Sequence, residues 1–399
     1  MRSACLTARS VFIPFALLVL VTVCGCGQPA GQDGAKDTAE SRTGVETGSS
    51  APFSASAALA PALPAVTDDP AALAEIEAAG ARLKRDSEGF VVDIDLRGTT
   101  ATDATLSRLT GIRRLRSLHL DDLPISDAGV ELLAASGCPL AALDLRGCPV
   151  TDAAMDSLAR IGTLRAIRMS GENGKTAVSD GGLAKLSTLP DLRVIAVDGL
   201  WIGTPGLQSL LPAAGIEELY LKSTLVDDES MAVAAKFGNL RKLRISKTQV
   251  SNEGLKLLTA CRKLEDLDLS ENSLLNNDGM VHVGQMSELK KLNLWRVAVS
   301  DAGIAALAEL RRIEWLNLDN TQLSDAGLPA LREMTALTFL HLGSTSVSDS
   351  GLPLLEHLTA LRDLQLTRTA VTEAGAAALA GKLPICTIQL KYVDSAESP

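Results

Sequence analysis

Asp95, His119 and Asp144 are residues whose types could do chemistry. They recur 24 and 25 positions apart, and each is followed two residues later by another charge: Arg97, Asp121 and Arg146. A histidine between carboxylates can coordinate a metal or relay protons. The same six residues also read as a checkerboard of ion pairs across adjacent strands. Carboxylates opposite arginines are already neutralised, and one histidine with no second imidazole or thiolate is a poor metal set, so ion pairing is the expectation. The other histidines, His282, His341 and His357, fall in separate units, and only His119 and His341 are expected on the same face. No glycine-rich phosphate loop and no zinc-ligand spacing occurs. No catalytic, metal or cofactor-binding residue is assigned, no cofactor is expected, and an enzyme is not expected.

The spacing of those residues has a cause that runs through the chain. The phrase SDAG appears at 300–303 and again at 324–327. Walked in both directions, its register places the apolar pattern L-x-x-L-x-L at Val91, Leu115, Leu140, Leu164, Leu192, Ile216, Leu240, Leu264, Leu289, Ile313, Leu337 and Leu361, with a last copy from Ile385. Each unit carries two periods. Leu292 and Leu294 alternate with Lys291, Asn293 and Trp295, as in a strand, whereas Ile304, Leu307 and Leu310 recur every third residue, as in a short helix. Between them Val299 stands at N′, Ser300 at the N-cap and Ile304 at N4, a hydrophobic staple around a capping hydroxyl. Asp301 puts negative charge in the first turn, where the helix dipole favours it, and Gly303 omits a Cβ where neighbouring units approach. The phrase therefore reads as architecture, with Ser300 contributing a cap of about 1 kcal/mol.

The repeated "L-x-x-L-x-L-x-x-T-x-V-[ST]-D-x-G-L" over residues 91–390 resembles the leucine-rich repeat family, in the subtype of ribonuclease-inhibitor-like and F-box-associated repeats. Thr224, Thr248, Thr321, Thr345 and Thr369 take the place of the family's usual Asn or Cys. The resemblance implies an α/β solenoid shaped as a horseshoe, about 12 repeats plus a terminal strand, with a parallel sheet on the concave face and short helices on the convex face. The function is not inherited with such a fold. The composition suits it: 46% of the residues are hydrophobic but only 3% aromatic, so the core is built of Leu, Ala, Val and Ile.

Around that body the segments differ. Residues 1–25 have Arg2, Arg9 and an apolar run from Val11 to Cys24, which is short for a bilayer span but fits a signal peptide. Val23-Cys24-Gly25-Cys26 resembles a bacterial lipobox, departing from it at Cys24; the resemblance implies lipidation of Cys26 and anchoring to the cell envelope, on the periplasmic or outer-membrane side. Residues 26–68, rich in Ala, Gly, Ser and Pro, read as a tether. Residues 69–90, opened by Asp69-Pro70, read as an N-terminal capping helix, and residues 391–399 as a polar tail. Loss of the first 25 residues would take formal charge from −10 to −12, and no basic stripe is evident, so nucleic acid is not an expected partner. Cys138, Cys148, Cys261 and Cys386 read as buried small hydrophobes rather than disulfide partners.

In this arrangement the solvent-facing strand positions form columns, and the candidate partner-binding surface lies near the C-terminal end. Trp315 and Phe339 hold the same position on adjacent strands, Trp295 lies diagonally away, and Asn293, Asn317 and His341 supply polar neighbours. Rings outside the leucine pattern suggest a contact surface for a protein or polymer, although packing against the array's own rim is the other reading. The inserted loop Gly171–Lys175 sits at the edge of the same face and is either a binding loop or a neutral insertion.

Overall fold

The computed structural model describes residues 67–391; Cys26, the leader, nearly all of the tether and the tail after Lys391 lie outside the described residues. Fourteen strands form one sheet in simple chain order. All pair parallel except the first, Arg82–Arg85, which runs antiparallel to Val91–Asp95. Most strands are three residues long and stack without a slip: Leu292 faces Leu316, and Leu316 faces Leu340. In these three strands the middle leucine is buried, and the flanking residues are half-buried except Lys291, which is exposed. The period-2 signal therefore turns one leucine per strand into the core. Ile304, Leu307 and Leu310 close the same core from the helical side with no exposure at all.

The strands end where the backbone turns left-handed. Arg296, Asn320 and Ser344 have φ of 56°, 55° and 51°, a region that costs a non-glycine residue about 1–2 kcal/mol. Threonine closes the turn: Thr321 and Thr345 donate their hydroxyls to the Leu318 and Leu342 carbonyls at 2.7 and 2.6 Å. Asn272 does more. Fully buried, it donates to the carbonyls of Ile245 and Leu269 and accepts from the Thr248 amide, tying two units together.

The SDAG phrase is architectural, but by a different bond from the expected one. Asp301 does not only face its own helix. It accepts from the amide and the hydroxyl of Ser324 in the next unit, at 2.7 and 2.6 Å. Asp325 does the same to Ser348, Asp349 to Thr372, and Asp228 to Ser251. The result is a ladder of acid-to-N-cap clamps between repeats. Most N-cap hydroxyls then also accept from their own helix, as Ser324 does from the Ala326 amide at 3.2 Å. Ser300 is the correction. Its hydroxyl makes no cap bond; it accepts instead from the Asn277 amide at 2.8 Å, because an asparagine stands in the clamp position and presents a donor where an aspartate presents none. Asp301→Ala is expected to cost about 1–3 kcal/mol, since the half-buried Ser324 amide loses its acceptor. Asp301→Asn should cost less, as Asn277 already fills the role natively. Urea unfolding of the two variants checks this; equal losses would contradict it.

Proline modulates the helices. Residues Asp325–Leu331 and Leu352–Leu355 are 3₁₀ rather than α; Pro329 lies inside the first and lacks the amide an α-turn requires there, whereas Pro353 sits in the first turn of the second, where no amide is needed.

The ends are closed unequally. The capping helix runs Pro70–Ala78, with Asp69 as N-cap accepting from the Ala71 amide at 2.9 Å. It stops well short of residue 90, because Gly80, at φ 94°, turns the chain into the added antiparallel strand. Asp68, assigned to the tether by composition, is buried and accepts from the amides of Val91 and Arg113, so it belongs to the folded body. At the other end Glu373–Lys382 is the longest helix among the described residues, yet Ile385 beside the last strand remains 54% exposed. Cys138, Cys148 and Cys261 are buried and unpaired, and Cys386, at this looser end, is half-buried. Burial pushes the Cys148 thiol up to about 12, so it is an inert packing group.

Candidate functional site: the solvent-facing side of the sheet

Three columns of side chains stand on the solvent side of the strands. At the N-terminal end Asp95 stands directly opposite His119 in the ladder, but its carboxylate is committed to arginines. Asp95 is held by Arg97 at 2.8 Å and by Arg82, from the added strand, at 2.7 Å. The Arg97 hydrogen bonds hold its carboxyl well below the usual carboxylate range, despite some burial that opposes them. His119 and Asp144 instead gather with Asp121, each offering an atom within 4.8 Å of the others. Arg146 bridges Asp121 and Asp144, at 2.6 Å from each, so a guanidinium already supplies the positive charge between these carboxylates. Burial raises the Asp121 pKa, aided by Asp144 and opposed by Arg146. Five of the six residues are ion-paired among themselves, Asp95 with Arg97 and Asp121 and Asp144 with Arg146, while His119 lies 3.5 Å from Asp93, a residue outside the six.

The C-terminal group is brought together more closely. Because Trp315 and Phe339 are directly paired in the ladder, their rings are held at the strand spacing: the centroids lie 4.9 Å apart and the planes differ by 6°. The His341 ring stands edge-on to Phe339 at 6.4 Å. Both rings are half-buried and no other segment of the described residues covers them as a core residue is covered. Burial lowers the His341 pKa, with Asp319 and Asp363 acting the other way, which favours a neutral imidazole. Trp295 is less integrated, its ring resting against the Arg296 guanidinium at 5.2 Å.

The two asparagines are partly committed to the scaffold. Asn293 and Asn317 accept, through Oδ1, the amides of Trp295 and Asp319 at 3.1 and 2.9 Å. Asp144 and Asp268 do the same for Arg146 and Ser270. Asx residues in the centre column thus fix the strand ends, and of Asn293 and Asn317 only the NH₂ groups are left for a partner.

The inserted loop is braced rather than free. Asn173 donates to Asp122 and to the Gly147 carbonyl on one side, and Glu172 pairs with Lys222 at 2.7 Å on the other.

Sequence reasoning missed one feature. Trp201 is 76% exposed, with Leu225 at 58% in the next unit and Leu274 at 48% two units further on. All three fill the position just before the buried apolar residue that precedes the helix cap, on the loop rim rather than on the sheet. The signal was available as large apolar residues at a repeat position where other units carry Gln249, Gln322 or Ser346.

The architecture now stands against known proteins. A family described as Leucine Rich repeat matches residues 260–282. An internalin from Listeria monocytogenes has a similar structure, with TM-score 0.56 and 17% identity over 82% of this chain and 96% of that chain. The fold is a leucine-rich repeat solenoid. A chain of the yeast Rad7 and Elc1 complex is similar with TM-score 0.50 and 20% identity, covering 72% of this chain and 83% of that one. No curated protein matches the sequence. These identities carry the fold and not the activity. What distinguishes this solenoid among repeats of one kind is therefore the content of its solvent-facing columns, and among the described residues Trp315 and Phe339 are the stacked pair of rings on that face.

Proposed function

We propose that the solenoid is a non-catalytic binding module that docks a protein partner on the solvent-facing side of its sheet, presented from the cell envelope by a lipidated Cys26. The observation that carries the docking surface is the Trp315–Phe339 stack. Two large rings outside the leucine pattern are held rigid by the ladder, with His341, Asn317 and Asn293 beside them. Rigid aromatics ringed by polar groups match the make-up of an interface hot spot. Repeat folds of this kind are generally protein-binding scaffolds, and the yeast neighbour is itself described in a complex with another protein. Affinity capture from envelope extract with the full chain, compared with a Trp315→Ala, Phe339→Ala variant, tests the reading: a species retained by the wild type and lost by the folded variant supports it.

The anchor has its own test. Cys26→Ser is expected to leave a precursor that incorporates no labelled fatty acid; unchanged labelling would sink the anchoring proposal.

A second reading is a self-associating envelope scaffold, in which the array meets copies of itself. The exposed rim at Trp201 and Leu225 favours it. A chain that stays monodisperse at high concentration contradicts that reading and leaves the first.

A further inference from the structure

Ion pairing accounts for three of the four carboxylate oxygens of Asp121 and Asp144. Arg146 donates Nη2 to Oδ2 of both, at 2.6 Å each, and Nε to Asp144 Oδ1 at 2.8 Å. Asp121 Oδ1 is left over: it is buried and has no hydrogen-bond partner among the described residues. The planar fork of an arginine matches one carboxylate at a time, so Asp144 is held through both its oxygens and Asp121 through one. His119 takes no part in this pairing, yet it offers a ring nitrogen within 4.8 Å of an oxygen from each aspartate. Among the described residues no other three His, Cys, Asp or Glu side chains converge in this way.

The donor set selects a cation. An imidazole with two carboxylates suits a borderline divalent ion such as Zn²⁺, whereas Mg²⁺ and Ca²⁺ take oxygen ligands. Bonds of about 2.1 Å in a tetrahedron put ligand atoms about 3.4 Å apart, so the three donors must close by at most about 1.4 Å from their present spacing. Asp93, 3.5 Å from His119 Nε2, is the kind of outer carboxylate that orients a metal-binding imidazole. The place for positive charge is marked already by Arg146 Nη2, which sits between the two aspartates. A dication brings twice the charge of that guanidinium.

Arg146 is also the member able to leave. Its side chain is 47% exposed, against 16% for Asp121 and 6% for Asp144. It lines a cavity of about 280 Å³ whose wall includes Glu172 and Asn173 of the inserted loop, and Asp122 and Glu172 give that cavity acidic groups to receive a guanidinium.

We propose that His119, Asp121 and Asp144 form a binding site for a divalent cation of zinc's class, which Arg146 fills in the metal-free chain and vacates into the neighbouring cavity. Three protein ligands leave the fourth position of the ion to water. The site is independent of the Trp315–Phe339 face.

Zinc chloride alone is the probe. The full chain carries four histidines, and labelling their ring Cε1 gives signals resolved by NMR, with His119 assigned by His119→Gln. Zinc is expected to shift the His119 signal saturably, and magnesium at the same concentration to leave it in place. Asp121→Asn should weaken the response about tenfold or more; it is preferred to a change at Asp144, which also fixes the strand end through the Arg146 amide. Arg146→Gln removes the competitor and should bind zinc about tenfold more tightly or better, with its lowered melting temperature raised again by the metal. A purely structural ion pair predicts a destabilised Arg146→Gln chain that is indifferent to zinc. No saturable His119 shift in the wild type, a shift confined to other histidines, an equal response to magnesium, an Asp121→Asn chain that responds like the wild type, or Arg146→Gln binding no more tightly would each overturn the proposal.

Discussion

Gly303→Val is expected to destabilise the solenoid by about 3 kcal/mol or more, combining overpacking with an orphaned amide. The first added carbon alone would lie 2.5 Å from Asn277 Oδ1 and 2.6 Å from Val299 Cγ1. Asn277 is the clamp residue of the preceding unit, and its Oδ1 accepts the Ser300 amide at 2.9 Å. Moving it to relieve the clash breaks the clamp, while staying put forces Val299, which is fully buried, out of place. Branching at Cβ adds crowding in the first helical turn. The same collision recurs at Gly327 against Asp301 and Leu323, so the glycine of the phrase is there to let the neighbouring acid through. Because each repeat touches only its neighbours, the damage should appear as early unfolding of the flanking units. Urea denaturation followed by far-UV circular dichroism measures it. A valine variant as stable as the wild type would show that the clamp is dispensable.

The Trp315→Ala, Phe339→Ala double variant is expected to lose at least 2 kcal/mol of partner affinity, about thirtyfold or more. It removes two rings that form one stacked unit, so their contribution is shared and the single variants should not add. Some stability goes with them, since a stacked pair contributes about 0.5–1.5 kcal/mol beyond its buried area. The leucines beneath, Leu316 and Leu340, remain fully buried, so the fold survives and the melting temperature falls only slightly. Affinity and melting measured on the same preparation separate the two roles. A variant that unfolds, or that binds as tightly as the wild type, would show the rings to be scaffold.

The fold was legible because its signal is repeated. A single L-x-x-L-x-L is ambiguous; twelve in register, each followed by a cap and a helical period, are not. The register alone also predicts that Trp315 and Phe339 are neighbours, and the ladder places them so. What escaped the sequence are contacts between units. Asp301 reads locally as a helix-dipole residue, and only the stacking of repeats shows it gripping Ser324. Ser300 reads locally as a cap, and only the asparagine 23 residues earlier explains why its hydroxyl is diverted. Arg82 could not be matched to Asp95 because the strand carrying it breaks the repeat and runs the other way.

Hydroxyl-radical footprinting of the solenoid with its captured partner tests the central claim most directly, because tryptophan and phenylalanine oxidation reports side-chain cover at each position. The rival surfaces both carry an aromatic: Trp315 and Phe339 on the sheet, Trp201 on the loop rim. The account predicts that the partner protects Trp315 and Phe339 and leaves Trp201 as reactive as in the free protein. Protection of Trp201 with Trp315 and Phe339 unchanged would contradict it and move the docking surface to the rim.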